Sequence, residues 1–350
     1  MRLLTGDTPT GKLHLGHYVG SLENRIALQD EFDCYFIIAN VHAYTTRYDK
    51  PQEIYDSVLD IAMDYLSVGI DPQKSTIFIQ SEISAIPELT FMLSMLLPYT
   101  RVMRNPTIKD EIRDKQLGDN YSFGFLMYAV GQIADILAFR PALVPVGEDQ
   151  LPHIEMTREV ARRFNQLYCG VSSHSSDEKQ CENGGVFPIP HAKLGRTKRL
   201  IGTGAPNAAG QLLKMSKSLN NAIFLSDDDK TIKEKVMGMY TDPKRLKATD
   251  PGSVDNNPLW IFHETFNPDK EWVMDTKEKY KAGQVGDVLC KRALIDVLIA
   301  LITPIRERRL LYETDKAQVL SILKEGSKRA NSEAEKTLNL VKKAMKLDFF

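Results

Sequence analysis

The sequence predicts an α/β fold with a doubly wound parallel sheet, followed by an α-helical bundle. Short apolar runs of strand length, such as Thr76–Gln80, alternate with helical patterns in the first part of the chain. This alternation is typical of parallel βαβ units. From Ser226 onward the periodicity is helical and shows no strand pattern of any length. We therefore expect an α/β domain over residues 1–224 and an α-helical domain over residues 225–350.

The composition is that of an ordinary globular protein. The chain has 350 residues, of which 43% are hydrophobic and 26% charged, enough for two domains with sizeable cores. No apolar run approaches the length that spans a membrane, and no signal or transit segment is visible, so we expect a cytoplasmic protein. The net charge of −1 argues against a surface coated with basic residues, although a local basic patch would suffice for RNA binding.

The cysteines favour a reduced compartment without disulfides. They are spread along the chain without a CxxC pair: Cys34, Cys169, Cys181 and Cys290. Cys169 and Cys181 share an irregular segment with His174 and His191, so a metal site is conceivable there. Their spacing fits no common zinc pattern. We therefore predict no metal bound by protein side chains.

The stretch Thr5–Tyr18, TGDTPTGKLHLGHY, indicates a phosphate-binding turn. It follows a short strand, Arg2–Leu4, runs through a glycine-rich loop and opens a helix, which is an arrangement that accommodates a phosphate chain. Gly16 leaves room for a nucleotide to approach closely. His14 and His17 are three residues apart, so both can face the same side and donate to phosphate oxygens. On their own, these histidines also fit two surface residues or an incidental metal pair.

Two further segments lie where open α/β sheets bind ligands, at the carboxyl ends of strands. His42 follows the predicted buried strand Cys34–Asn40, and a loop histidine bonded to backbone is the alternative. The tetrapeptide Gly147–Gln150 follows the predicted strand Leu143–Val146 and opens the helix His153–Leu167. A small residue, polar residues and a helix N-terminus in this order again predict a ligand-facing turn.

The predicted helix Phe123–Phe139 carries a polar stripe. Tyr128, Gln132 and Asp135 fall at positions i, i+4 and i+7 on one side. The opposite side is apolar and faces the core: Val130, Ile133 and Leu137. A solvated face and a pocket lining are both compatible with such a stripe. The apolar surroundings and the tyrosine favour a pocket.

The remaining segments are less specific. The leucine- and methionine-rich helix Pro87–Tyr99, extended to Asn105, needs a second buried face, which is either core or an interaction patch. Lys109–Asn120 is charged and predicts a surface excursion, and Gly170–Gly210 predicts a loop. Five helices are predicted in the final part of the chain: Lys230–Tyr240, Pro258–Phe266, Pro268–Ala282, Val285–Glu313 and Lys316–Lys346.

A second motif supports a functional interpretation of the first. KMSKS at Lys214–Ser218 follows HLGH at His14–His17 by about two hundred residues. This pair resembles the signature of class I aminoacyl-tRNA synthetases, and the resemblance covers nearly the whole chain. The block PVGEDQLPHIEMTREVARRFN, which begins at Pro145, is similar to the tryptophanyl enzymes, whereas tyrosyl enzymes carry a different motif there. The resemblance implies a Rossmann-like catalytic domain over residues 1–224.

The resemblance implies a ligase of protein biosynthesis that works in two steps. ATP and tryptophan form tryptophanyl-adenylate with release of pyrophosphate, and the tryptophan then passes to tRNA(Trp). Neither step needs a protein nucleophile, since catalysis rests on positioning and charge stabilisation. Mg²⁺ is expected on the phosphates of ATP. The alternatives are a tyrosyl-tRNA synthetase and a paralogue that does not charge tRNA.

The resemblance also assigns the residues of the ATP site. Lys214, Lys217, His14 and His17 are expected to act in catalysis on the phosphates, and a lysine supplies point charge where negative charge moves. The full set of expected ATP-binding residues is Thr8, Pro9, Thr10, Gly16, His17, Gly147, Glu148, Asp149, Lys214, Met215, Ser216, Lys217 and Ser218.

A third set is expected to bind tryptophan: Leu4, Gly6, His42, Tyr128, Gln132, Asp135, Val146 and Gln150. Asp135 would accept a hydrogen bond from the indole N–H, and Leu4 would pack on the ring. Gln132 and Tyr128 would bind the α-amino group with help from Gln150 and His42. Leu4 stands where tyrosyl enzymes carry a tyrosine that contacts the phenol hydroxyl, which favours tryptophan. Two positions depart from the tryptophanyl pattern, since asparagine is frequent at His17 and methionine at Gln132.

Partners follow from the same resemblance. The helical part, residues 225–350, is expected to bind the tRNA anticodon. Basic residues on its last two helices would contribute, although a solvated face is the default interpretation: Arg306, Arg308, Arg309, Lys328, Arg329, Lys342, Lys343 and Lys346. A homodimer is implied, with its interface near Pro87–Asn105 or, alternatively, with that segment in the core. No DNA and no membrane are expected among the partners.

Overall fold

A computed structural model describes residues 1–195, 200–217, 219–242, 245, 247 and 249–349. Its sheet has five parallel strands in the order β3-β2-β1-β4-β5. The strands are β1 (Arg2–Asp7), β2 (Asp33–Ile38), β3 (Ser75–Ile79), β4 (Leu143–Val146) and β5 (His191–Leu194). The predicted doubly wound α/β fold is confirmed. The strand order reverses between β1 and β4, and such a switch point is where these sheets bind ligands.

Fourteen α-helices accompany the sheet in the described part of the chain. In chain order they are α1 (Leu15–His17), α2 (Glu23–Leu28), α3 (Asn40–Arg47), α4 (Pro51–Val68), α5 (Ala85–Ser94), α6 (Tyr99–Met103), α7 (Pro106–Asp114), α8 (Phe123–Leu137), α9 (Leu151–Cys169), α10 (Asp229–Met237), α11 (Pro258–Phe266), α12 (Lys270–Lys281), α13 (Asp287–Thr314) and α14 (Lys316–Ala344). None of them is long and apolar enough to cross a membrane.

The chain forms two compact units that do not divide at residue 224. The first unit comprises Met1–Gly11, Glu23–Gly195 and Asp315–Phe350, and the second comprises Lys12–Leu22 and Arg196–Thr314. Lys12–Leu22 joins the second unit because its backbone pairs there: Leu15 N donates to the carbonyl of Ile223 at 3.0 Å, and Leu225 N donates to that of Leu13 at 3.1 Å. The expected domain boundary and the boundary between the compact units therefore differ.

The last helix, α14, belongs to the first unit and not to the expected bundle. It packs on β3 so closely that a Cβ at Gly326 would overlap the carbonyl oxygen of Ile77. Ser327 Oγ accepts the backbone N–H of Ile79 at 3.2 Å. Ala330 and Ala334 are fully buried in the core of the same unit. Small residues along one face thus allow the helix to approach the backbone of an edge strand.

Glycine is also required where β1 meets β2. A Cβ at Gly6 would overlap the carbonyl oxygen of its register partner Ile37. Thr5, the preceding residue, donates its hydroxyl proton to the carbonyl of Pro145 at 2.6 Å and so ties β1 to β4. Gly6 therefore lets β1 lie close to β2, while Thr5 joins β1 to β4.

Two segments differ from the sequence-based expectation. The expected surface excursion over Lys109–Asn120 begins as a helix, α7, whose N-terminus is capped by Asn105 through a 2.9 Å bond from Thr107 N. The expected loop over Gly170–Gly210 contains β5, which pairs in parallel with β4. Its sequence, His-Ala-Lys-Leu, is half-exposed and carries no apolar run. Backbone pairing with a buried neighbour forms this strand where its side chains give no signal.

The apolar segment Pro87–Asn105 has both a core face and an outer face. Leu93 is fully buried and Leu97 is 9% exposed, so these two residues belong to the core of the first unit. Phe91, Met95 and Tyr99, spaced by four residues, are 66%, 60% and 63% exposed. Within Pro87–Asn105, Leu93 therefore fits the core alternative, because its side chain packs inside the unit. The outer face remains available for a partner.

Candidate active site

In the first unit, the loops after β1 and β4 lie at the switch point. Asp7, the last residue of β1, is held by two buried side chains: Arg25 donates to its Oδ2 at 2.8 Å, and the Tyr65 hydroxyl donates to the same atom at 2.6 Å. Arg25 also donates to the carbonyl of Gly6 at 3.3 Å. These contacts pin the start of the loop Thr8, Pro9 and Thr10, in which Thr8 is exposed and Pro9 is buried.

The turn after β4 is fixed in a similar way. Gln150 N donates to the carbonyl of Gly147 at 3.0 Å, and the Thr107 hydroxyl donates to that of Asp149 at 2.6 Å. Glu148 and Asp149 are exposed, while Val146 and Gly147 are half-buried. The backbone of this turn is therefore held in place while its acidic side chains face outward.

The polar stripe on α8 contacts polar side chains from other elements. Gln132 Nε2 donates to Gln150 Oε1 at 3.1 Å. His42 Nε2 lies 3.5 Å from Asp135 Oδ2. The imidazole of His42 sits over Gly131, where a Cβ would lie 2.8 Å from Nε2. A glycine at this helix position thus makes room for His42 beside Asp135.

Asp135 is 4% exposed and depends on Gln80. Nε2 of Gln80 lies 2.9 Å from both carboxylate oxygens. Gln80 Oε1 in turn accepts the backbone N–H groups of Val41 and His42 at 3.0 and 3.2 Å. Burial raises the pKa of the Asp135 carboxyl to about 7, and the hydrogen bond from Gln80 opposes this rise. In the sequence, Gln80 appears only as the polar residue that ends a buried strand, which is the one signal that could have revealed it.

Tyr128 stands in a second polar group. Its hydroxyl donates to Glu111 Oε1 at 3.2 Å and lies 3.4 Å from Nε2 of His153, which is 1% exposed. Burial lowers the pKa of both His42 and His153 to about 4, so both imidazoles are neutral at pH 7. Burial likewise raises the pKa of the Tyr128 hydroxyl. Glu111 and His153 were not predicted as site residues, because they come from the neighbouring helices α7 and α9, and helical periodicity does not show which side chains of two helices meet.

The remaining predicted tryptophan residues lie in β1. Leu4 is 3% exposed and belongs to the apolar core of the first unit. Gly6 is needed for strand packing, as described above. Contacts thus join His42 to Asp135 and Gln132 to Gln150, and the His42 ring lies edge-on to that of Tyr128 with centroids 6.1 Å apart. Leu4 lies in the apolar core of the same unit.

In the second unit, the HLGH motif orients its own histidines. His14 Nδ1 accepts the N–H of Gly16 at 3.1 Å, and His17 Nδ1 accepts the N–H of His14 at 3.2 Å. A neutral imidazole whose Nδ1 accepts a hydrogen bond carries its proton on Nε2. The two ring centroids are 3.9 Å apart. A Cβ at Gly16 would lie 2.9 Å from His14 Cε1, so only glycine lets the ring lie there.

The KMSKS loop is held by an asparagine. Asn221, which is 6% exposed, accepts the N–H of Ser216 on Oδ1 at 2.8 Å and donates from Nδ2 to the carbonyl of Lys214 at 3.1 Å. Met215 is buried, and a Cβ added at Gly16 would lie 3.7 Å from the Cβ of Met215. The second unit thus brings the two signature motifs together.

The remaining residues of the loop differ in exposure. Lys214 is exposed, Lys217 is half-buried, and the predicted ATP-binding residue Ser218 lies outside the described residues. No group of three or more His, Cys, Asp or Glu side chains suited to a metal ion occurs in the described ranges, which include Cys169, His174, Cys181 and His191.

Comparison with known proteins agrees with this arrangement. Residues 1–303 match the family described as tRNA synthetases class I (W and Y). The tryptophan–tRNA ligase of Treponema pallidum is 45% identical over 99% of this chain and 97% of that protein, and that of Streptococcus agalactiae is 46% identical over 99% and 98%.

Solved structures show the same relationship. Tryptophanyl-tRNA synthetase from Campylobacter jejuni, complexed with ADP and tryptophan, has a TM-score of 0.81 and 28% identity over 99% of this chain and 100% of that chain. Tyrosyl-tRNA synthetase from Archaeoglobus fulgidus shares the fold at a TM-score of 0.63 and 20% identity, covering 88% of this chain and 90% of that one. The chain therefore belongs to the class I tRNA synthetases of the tryptophan and tyrosine group and, within it, to the tryptophan–tRNA ligases.

Proposed function

We propose that this chain activates L-tryptophan with ATP and transfers it to tRNA(Trp). The observation that carries the amino-acid identity is the buried carboxylate of Asp135, which lies beside His42 and is supported by Gln80. Indole has a single polar group, an N–H donor, and one carboxylate satisfies it. A phenol hydroxyl would need a second partner, and the apolar Leu4 supplies none. An unsatisfied hydroxyl in a dry pocket costs about 1–3 kcal/mol.

The phosphates of ATP are assigned to the two signature motifs. His14 and His17 hold their Nδ1 atoms in backbone hydrogen bonds, which leaves Nε2–H as the donor group of each ring. Lys214 and Lys217 supply positive charge for the departing pyrophosphate. Mg²⁺ would enter with ATP, held by phosphate oxygens and water.

The loops Thr8–Thr10 and Gly147–Asp149 are assigned to the adenosine. In the proposed reaction the tryptophan carboxylate attacks the α-phosphorus in line, and the protein contributes orientation and charge, not a nucleophile.

Binding of the tRNA anticodon is assigned to the helices of the second unit, but the basic residues expected to take part have different surroundings. Arg309 is 2% exposed and pairs with Glu313 at 2.8 Å. Arg306 donates to the carbonyl of Asp227 and to Asp229 at 2.9 and 2.8 Å. Both stabilise the fold. On α14, which belongs to the first unit, Arg329 and Lys342 also have protein partners. The anticodon surface is therefore proposed on the outer residues of α10–α13.

The test of the proposed function is amino-acid-dependent ATP–pyrophosphate exchange with all twenty amino acids, followed by charging of tRNA(Trp). We expect tryptophan to exceed tyrosine by at least about a hundred-fold in kcat/KM, equivalent to roughly 2.7 kcal/mol. Exchange with tyrosine at the same rate would replace this assignment with the tyrosyl one. Exchange without charged tRNA would instead indicate a paralogue that stops at the adenylate.

Lys217→Ala is expected to slow exchange by about 10²–10³ in kcat, because it removes a charge that stabilises the transition state. Tryptophan affinity, measured by calorimetry without ATP, should not change. Lys230→Ala is the matched control, since Lys230 lies in the same unit with its side chain 84% exposed. A kcat within a few-fold of the parent would contradict the role given to the KMSKS loop.

Tryptophan affinity is expected to rise with pH through the titration of Asp135. The indole N–H binds the ionised carboxylate more strongly, so binding favours ionisation, and affinity increases as the pH passes upward through the pKa of about 7. Between pH 6 and pH 8 the dissociation constant should fall by up to about tenfold. His42 and His153, with pKa values of about 4, stay neutral in this window. Asp135→Asn should bind weakly and without this slope, and an unchanged slope would refute the assignment.

A homodimer is proposed through the exposed apolar stripe Phe91, Met95 and Tyr99. Met95→Glu should give a folded monomer on a sizing column, because the side chain is 60% exposed in a single chain. Leu93→Glu places a charge in the core instead and should lower the melting temperature or prevent folding. A Met95→Glu protein that still elutes as a dimer would place the interface elsewhere.

A further inference from the structure

The residues assigned to the α-amino group carry no negative charge to offset its positive charge. An amino acid at neutral pH carries an α-ammonium group, whereas Tyr128, Gln132, Gln150 and His42 are all neutral there. A cation taken out of water needs an anionic partner to offset its desolvation. Asp135 is already bonded to Gln80 through both oxygens, and the proposed function uses it for the indole. The site therefore calls for a second carboxylate.

Glu111 is placed to supply it. Its side chain, 29% exposed, extends from α7, and Oε1 accepts the Tyr128 hydroxyl at 3.2 Å. Its other oxygen, Oε2, is held by Lys115 at 2.8 Å, one helical turn further on. Lys115 thus holds one oxygen of the Glu111 carboxylate at the surface, and the other oxygen contacts Tyr128 of the polar stripe. An ion pair between exposed side chains is weak, so Lys115 orients Glu111 without removing its charge.

The surroundings of this carboxylate suit a cation. The hydroxyl of Tyr128 lies between Glu111 and His153, which is 1% exposed and neutral at pH 7 because burial lowers its pKa. Among the described residues, buried His153 Nδ1 has no hydrogen-bond partner, so one polar atom of the cluster is unsatisfied. Neither imidazole of the site competes electrostatically with an incoming ammonium group.

We propose that Glu111 and Tyr128 together bind the α-ammonium group of the substrate, with Glu111 supplying the negative charge and Tyr128 a neutral oxygen. This inference rests on the proposed function and names the chemistry by which the site selects an α-amino acid over an indole carboxylate. A negatively charged ligand that lacks the ammonium group meets Glu111 without compensation.

The experiment measures binding of three ligands by calorimetry: L-tryptophan, tryptamine, which lacks the carboxylate, and indole-3-propionate, which lacks the ammonium. In Glu111→Gln, tryptophan and tryptamine should bind at least about tenfold more weakly, equivalent to roughly 1.4 kcal/mol. Indole-3-propionate should bind as well as before or better. Asp110→Asn is the control for charge, since Asp110 is the exposed neighbour of Glu111 on α7 and pairs with Arg113 at 2.9 Å. The Asp110→Asn variant should bind all three ligands with affinities within about twofold of those of the wild type.

Each outcome of this experiment supports or contradicts the role proposed for Glu111. An equal loss for all three ligands in Glu111→Gln would show a structural role and overturn the proposal, and so would unchanged binding of tryptophan and tryptamine. A loss of the same size in Asp110→Asn would mean that general electrostatics, and not contact, is responsible. If the wild type binds none of the three ligands, the assignment of tryptophan as the substrate fails. If the wild type and Glu111→Gln bind tryptophan equally well, only the role given to Glu111 fails.

Discussion

One amide side chain, Gln80, satisfies the buried carboxylate of Asp135, and the amino-acid part of the site depends on that contact. Its Nε2 reaches both carboxylate oxygens, while its Oε1 accepts two N–H groups at the start of α3. The amide of Gln80 and the carboxylate of Asp135 therefore join the end of β3, the start of α3 and the last turn of α8. A buried carboxylate without such a partner costs several kcal/mol, so the position of His42 and the charge of Asp135 are set by the same residue.

The two signature motifs are positioned differently, by hydrogen bonds between residues that are close in sequence. HLGH closes a reciprocal pair of hydrogen bonds between its histidines and its own backbone. The KMSKS loop is held by Asn221, only a few residues further along the chain. Local hydrogen bonds of this kind are encoded within a handful of residues. The amino-acid site, by contrast, draws on α3, α7, α8 and α9, so its geometry depends on the packing of the whole first unit.

This contrast explains what the sequence could predict. Strong periodicity identifies the strands with continuous apolar runs and all five final helices, and Pro258–Phe266 has the predicted bounds. The stripe of Tyr128, Gln132 and Asp135 follows from helical spacing alone. Periodicity says which face of a helix is buried but not what covers it, so the placement of α14 and of Leu93 could not be read from it. Glu111, His153 and Gln80 reach the site from elements other than α8, and β5 forms by backbone pairing without an apolar pattern.

The attachment of α14 has a consequence for synthesis of the protein. β3 is an edge strand of the sheet, and α14 covers its open side: Ser327 accepts from Ile79 N at 3.2 Å, and Arg329 donates to the carbonyls of Pro72 and Ser75 at 3.1 and 3.4 Å. Uncovered edge strands template pairing with other chains. The helix leaves the ribosome some 240 residues after the strand it shields. During that interval the nascent sheet exposes unpaired backbone, and chaperone binding would protect it from aggregation.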